Sequence, residues 1–207
     1  MTVSSITDFD KKRKKISLDE GRLIFLLYKG ELGRLRLREG DELSEEALRQ
    51  IYEDTLKPRI KKRALYYLRS SDKTEWEVRR KLRESLYPDE LIDYALDFLK
   101  GYGFVDDGRY AENFMEARRG RDSKREIIQK LRRKGIASEE IDRVSGELLA
   151  EDEEELCREK LLKYIRGRDL SDPKERARAY RYMLGKGFSY DTVNAAMQKI
   201  KENQTDQ

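Results

Sequence analysis

A single register constrains this chain more than any other feature. Thr74-Glu75-Trp76-Glu77 and Ser123-Lys124-Arg125-Glu126 each place a hydroxyl three residues before a carboxylate. In that arrangement the two side chains satisfy free N–H groups at a helix start. Leu82 and Leu131 follow at the same distance from the two hydroxyls, each preceded by a lysine, Lys81 or Lys130, and Ile92 and Ile141 follow in turn. Hydroxyl, leucine and isoleucine all recur at an interval of 49 residues. Caps and apolar positions sharing one interval predict a repeated helical unit, not one globule with a single pattern.

A third copy shows best at its turn. Lys134-Gly135-Ile136-Ala137-Ser138-Glu139-Glu140-Ile141 aligns with Lys186-Gly187-Phe188-Ser189-Tyr190-Asp191-Thr192-Val193. In both, Gly ends one helix, an apolar residue packs into the corner, and Ser with acids opens the next. Asp172-Pro173-Lys174-Glu175 is expected to cap the third copy from slightly upstream of the register. The first copy departs at this turn, where Leu86-Tyr87-Pro88 stands in place of the Gly. Each unit then reads as three helices, at 58–70, 74–86 and 89–100, at 107–118, 123–134 and 138–150, and at 152–167, 173–186 and 189–201.

Between the first two units lies Gly101-Tyr102-Gly103-Phe104-Val105-Asp106-Asp107. Gly101 or Gly103 is expected to end a helix in the left-handed conformation, with Phe104 packing back on its last turn. Asp106 or Asp107 caps the helix that follows.

The first 57 residues read differently. Residues 1–10 and the basic run Lys11-Lys12-Arg13-Lys14-Lys15 look like a loose start that joins the first strand. Ile16-Ser17-Leu18 and Leu23 to Tyr28 flank Asp19-Glu20-Gly21, which predicts a β-hairpin. Leu35-Arg36-Leu37-Arg38 alternates and suggests a third short strand or a single helical turn. Ser44-Glu45-Glu46 opens a helix with Ala47, Leu48, Ile51 and Leu56 on its apolar side, and Pro58 suits the first turn of the next. The expected fold is mainly α: an elongated array of three tandem three-helix repeats with a small N-terminal β-hairpin plus helix extension. The divisions are 1–57, 58–105, 106–151 and 152–207. Units this small bury little apolar surface alone and are expected to stack.

Composition narrows the chemistry. There is no histidine, which removes the commonest general base and metal ligand together. One cysteine, Cys157, allows neither an intramolecular disulfide nor a thiolate metal site and is expected to be a small buried hydrophobe. No Gly-rich phosphate loop with a lysine appears. We therefore expect no enzyme, no catalytic residues, no metal and no cofactor. The start of the chain lacks an apolar signal core, and the longest apolar run, Leu23 to Tyr28, is far short of a membrane span. A cytoplasmic monomer without membrane contact is the expectation.

Charge is segregated. Eleven bases face three acids over residues 57–83, nine acids face two bases over 84–116, and nine bases face two acids over 117–134. Nine acids face one base over 137–155, and ten bases face four acids over 156–187. Within each unit the second helix is basic and the third acidic. A single charge run is usually a solvated face. Banding in successive units instead predicts a basic stripe suited to a long phosphate-bearing surface. Its candidates are Arg79, Arg80, Arg83, Arg125, Arg132, Arg133, Arg178 and Arg181. Most aromatics, Trp76, Tyr66, Tyr67, Phe98, Tyr102, Phe104, Phe114 and Phe188, fall at helical spacing and are expected to pack inside.

At the corner and the repeats the chain resembles the RecX family of bacterial recombinase regulators. The resemblance rests on Gly103-Phe104-Val105-Asp106-Asp107 with Tyr110-Ala111, and on Arg69, Thr74, Glu77-Val78 and Lys81-Leu82. Lys130-Leu131, Lys134-Gly135-Ile136 and Lys186-Gly187-Phe188 complete it. It covers roughly residues 58–201, with Gly103, Phe104, Asp106 and Asp107 as the structural signature. It implies a curved helical array that binds in the groove of RecA filaments on single-stranded DNA, restrains ATP hydrolysis and strand exchange, and carries no catalytic residues. DNA, single- or double-stranded, is a further expected partner. The alternative is a direct DNA-binding protein made of tandem three-helix modules.

Overall fold

The computed structural model describes residues 1–148, 153–166, 168 and 170–205. It divides into two units, Met1–Asp106 and Asp107–Gln207. Three antiparallel strands open the first unit, β1 (Val3–Asp8), β2 (Arg13–Leu18) and β3 (Leu23–Tyr28), in the order β1-β2-β3. The β2–β3 hairpin is the one expected, with Ile16 opposite Phe25 and both fully buried. Its connection carries Asp19, Glu20 and Gly21 at positive φ. The loose start is corrected: residues 3–8 form β1, in register with β2 through Ile6 opposite Ile16. Val3 reaches the core, and the Met1 ammonium donates to the Leu43 carbonyl.

The strand alternative at Leu35 to Arg38 is also corrected. Helix α1 (Lys29–Leu35) ends there, and Arg36 is left-handed at φ 52°. Glu31 starts this helix by accepting from the Tyr28 N–H at 2.7 Å. Leu32 and Leu35 then pack on the core at helical spacing. A four-residue alternation spanning a helix end and a loop cannot be told from a strand by period alone.

Helix α2 (Glu45–Ile51), capped by Ser44, runs through a π-helical turn, Tyr52–Leu56, into α3 (Lys57–Leu68). Residues 57 and 58 therefore lie within continuous helix. The Lys57 N–H reaches back five residues to the Tyr52 carbonyl. Pro58, which has no N–H to lose, sits in the first turn of α3. Helices α4 (Glu75–Glu84) and α5 (Asp89–Gly101) complete the unit. The sheet, α2 and the helices of the first repeat share one apolar core, which includes Phe25, Leu56, Ile60, Leu82 and Leu96.

The second unit holds α6 (Asp107–Arg118), α7 (Lys124–Arg133), α8 (Ser138–Leu148), α9 (Glu153–Ile165), α10 (Pro173–Gly185) and α11 (Tyr190–Thr205). Residues 149–152 and 167, at the expected ends of two helices and the junction of the second and third repeats, lie outside the described residues. In every repeat the first and third helices lie against each other: α3 on α5, α6 on α8, α9 on α11.

The register predicted from the sequence is the register of the core. Leu82, Leu131, Ile92 and Ile141 are all fully buried, as are Met183 and Val193 in the third repeat. Thr74 accepts from the Glu77 N–H at 3.2 Å while Glu77 accepts from the Thr74 N–H at 3.2 Å, a complete capping box. Ser123 accepts from the Glu126 N–H at 3.2 Å, and Asp172 from the Lys174 N–H at 2.9 Å. Cys157 is fully buried, and that burial, with Glu153 and Glu154 nearby, pushes its thiol up to about 12.

The helix ends carry one turn geometry four times. Gly103 (φ 67°), Gly135 (φ 80°) and Gly187 (φ 91°) are left-handed, and so is Leu86 (φ 54°). At each, the residue after it donates five residues back, to Leu99, Leu131, Met183 and Leu82 respectively. Leu86-Tyr87-Pro88 thus builds the same turn as the glycines, at a steric cost of about 1–2 kcal/mol for the leucine. At the Gly103 corner Val105, not Phe104, is the buried residue. Phe104 is 47% exposed and stacks on Tyr102. Tyr66, Trp76 and Tyr102 are likewise exposed, which corrects their assignment to packing. Helix α6 starts at Asp107, leaving Asp106 at the cap position.

Candidate interaction surface

The eight arginines fall on α4 in the first unit and on α7 and α10 in the second, and their surroundings differ sharply. On α4, Arg79 bonds Asp93 of α5 at 2.6 Å and Glu75 at 3.1 Å. Arg83 bonds Asp89 of α5 at 2.8 Å. Arg80 lies 4.9 Å over the Trp76 ring with Glu84 at 3.8 Å. Lys81 also meets Glu84, and Lys100 of α5 reaches across to Glu75. Burial works against the charge of Glu75, but Arg79 and Lys100 outweigh it and hold the carboxyl below its usual range. The Arg83 hydrogen bond does the same for Asp89. The basic second helix and the acidic third helix of this repeat therefore neutralise each other.

On α7 the apolar side is Ile127 and Leu131, both buried. Arg125, Ile128, Gln129 and Arg132 occupy the i, i+3, i+4 and i+7 positions of another face. With Lys124 they line an open groove of about 400 Å³ whose far side is Glu153, Gly187 and Ser189. Arg133 is exposed beside this face. Among the described residues Arg125, Arg132 and Arg133 have no ion-pair partner, whereas Lys130 bonds Asp122 at 2.6 Å. On α10, Arg178 pairs with Glu175, and Arg181 is exposed without an ion-pair partner among the described residues.

The joint that holds α7 against the third repeat was not foreseen. Ser123 is fully buried, and its hydroxyl donates to the Lys186 carbonyl at 2.7 Å while capping α7. Gly187 follows, and a Cβ built there would lie 2.6 Å from the Ser123 Oγ and 3.2 Å from the Arg125 Cβ. The glycine therefore serves twice, for its positive φ and for the close approach of the cap. The only sequence signal was the shared alignment of the two turns, which says nothing of one touching the other's neighbour.

An unpaired basic helix face along a groove is suited to polyanions, through charge contacts that each contribute little and add together. Among the described residues no group of acids and cysteine could hold a metal ion, and no helix is long and apolar enough to cross a membrane.

Comparison with known proteins finds one family over most of the chain. Family models match the first three-helix domain of RecX at residues 61–99, the second at 106–144 and the third at 151–197. A regulatory protein RecX of Clostridium beijerinckii is 30% identical over 203 residues, covering 97% of this chain and 95% of the relative. That of Clostridium acetobutylicum is 32% identical over 169 residues, 79% of each chain. A crystal structure of regulatory protein RecX superposes with a TM-score of 0.65 at 27% identity, covering 95% of this chain and 98% of the other.

Proposed function

Because the chain belongs to the RecX family, we propose that it is a non-enzymatic regulator of homologous recombination and DNA repair that binds RecA filaments on single-stranded DNA. On this reading it inhibits the filament's ATPase and strand exchange, acting as a cytoplasmic monomer. The three repeats, 58–105, 106–151 and 152–207, follow the 1–57 extension, and the filament is met chiefly through α7, the second helix of the middle repeat. The observation that carries the reading is the unpaired face of α7, Arg125, Arg132 and Arg133, in a chain matched by all three RecX domains. A filament is long and phosphate-bearing, so a row of uncompensated cations along a helix face is complementary to it. Gly103, Phe104, Asp106 and Asp107 serve the fold, ending one helix and starting the next.

The test is inhibition of RecA ATPase on single-stranded DNA by the full chain. Reversing Arg125, Arg132 and Arg133 to Glu together should leave the helical circular dichroism unchanged and weaken inhibition at least tenfold. Reversing Glu139, Glu140 and Asp142 to Lys should weaken it far less. Equal effects from the two sets would place the binding surface elsewhere.

A further inference from the structure

A basic concavity also lies away from the second helices. In the first unit a hollow of about 670 Å³ opens between the β1–β2 turn, β3 and α3. Its lining includes six bases against one acid, Asp10. Asp10 is occupied by Arg13 at 2.7 Å, and Arg59 by Glu31 at 2.6 Å. Lys11, Lys12 and Lys62 are exposed, with no side-chain partner among the described residues. They line the hollow from a strand turn and from a helix, two elements that tertiary folding brings together.

Aromatic rings stand among these cations. Tyr28 and Tyr66 line the hollow and are 41% and 57% exposed. Tyr66 also forms the wall of a second hollow, about 520 Å³, lined by Arg69 and Lys73, by Arg80 and Lys81, which meet Glu84, and by one acid, Glu77. Glu77 is held by the Thr74 cap. Tyr66 is thus a ridge between two basic depressions, with Arg63 5.5 Å from its ring.

We infer that this surface binds a single nucleic-acid strand, with phosphates in the two hollows and a base stacked on Tyr66. Spaced cations neutralise successive phosphates, and an exposed ring offers a π-face to any unpaired base. A duplex keeps its bases stacked on each other and has none to give the ring. An acidic peptide would use the lysines but not the ring. The surface shares no residue with the α7 groove, so the inference does not depend on the filament reading.

The experiment uses the full chain and a fluorescein-labelled oligodeoxythymidylate, without recombinase, followed by anisotropy over a salt series. Lys11→Glu/Lys12→Glu/Lys62→Glu should weaken binding more than tenfold at low salt. It should also flatten the log–log salt slope by about 2, since each single-strand phosphate contact contributes about 0.7. Tyr66→Ala should weaken binding about five- to a hundredfold with the salt slope unchanged, and Tyr66→Phe should restore it. All of these side chains are exposed, and unchanged thermal melts will show that the fold is intact. Four results would each overturn the inference: no binding of the strand at low salt; an unchanged affinity and slope in the lysine variant; equal affinity for a duplex of the same length; or displacement by polyglutamate as effective as by unlabelled strand, with Tyr66→Ala silent. Loss of strand binding in the Arg125, Arg132 and Arg133 variant alone would assign the strand to α7 instead. Filament inhibition by the lysine variant, measured in parallel, separates failure here from failure of the regulatory reading.

Discussion

Helices α4 and α7 hold the same place in successive repeats, present the same leucine to the core and carry similar numbers of bases. They differ in what surrounds those bases. On α4 the arginines are bound to Glu75, Glu84, Asp89 and Asp93 of the same repeat. Forty-nine residues on, the positions of Glu75, Glu84 and Asp89 are held by Lys124, Arg133 and Ser138. Three of the four acids that neutralise the first helix are thus replaced in the second by two bases and a neutral residue; the fourth, Asp93, corresponds to Asp142, but the arginine it holds, Arg79, corresponds to Ile128. A basic band in a sequence is therefore not yet a basic surface. What decides is whether the helix itself and its neighbour offer acids at the matching heights.

The apolar half of the comparison should hold when the charged half breaks. Leu82→Ala and Leu131→Ala each remove a fully buried leucine, so each should destabilise its own unit by about 2–5 kcal/mol in urea unfolding followed by circular dichroism. A cost below about 1 kcal/mol at either site would show that the two helices are not equivalent in the core.

The caps sharpen the contrast. Gly187→Ala forces a positive φ on an L side chain and drives its Cβ into the Ser123 hydroxyl. We expect about 1–3 kcal/mol from the backbone alone, and more from the contact. The loss should appear in the unfolding of the second unit. A neutral result would mean that the joint between α7 and the third repeat yields freely.

The smallest effect is expected at the first repeat's turn. Leu86→Gly should relieve the left-handed strain and raise stability by up to about 1 kcal/mol, the half-buried leucine side chain offsetting part of the gain. Destabilisation beyond about 1 kcal/mol would show that Leu86 is held for its packing, not tolerated despite its backbone.

Much of the fold was legible because caps, leucines and turn glycines are local signals with fixed spacing. Thr74, Ser123, Leu82 and Leu131 could be placed from their interval alone. Strand β1 was missed because Val3-Ser4-Ser5-Ile6-Thr7-Asp8 has too little apolar alternation to show that β2 will pair with it. Helix α1 was missed because its glycines, Gly30 and Gly33, argue against a helix that Glu31 and the core contacts of Leu32 and Leu35 nonetheless hold. Trp76 was assigned to the core by its spacing, yet it lies at the surface under Arg80. The candidate arginines could be named from the sequence. The division between paired and unpaired ones needed the heights of α5 beside α4, although the 49-residue interval holds that information once the pairs on α4 are known.

The most direct measurement of that division is the salt dependence of filament binding by two neutralised variants of the full chain. Replacing Arg125, Arg132 and Arg133 of α7 with Gln should lower affinity and flatten the dependence on salt, because contacts to phosphate are removed. Replacing Arg79 and Arg83 of α4 with Gln should leave the slope as in the parent protein, because those charges are already bound to Asp93, Glu75 and Asp89. A slope changed equally by the two sets, or changed only by the α4 set, would contradict the account.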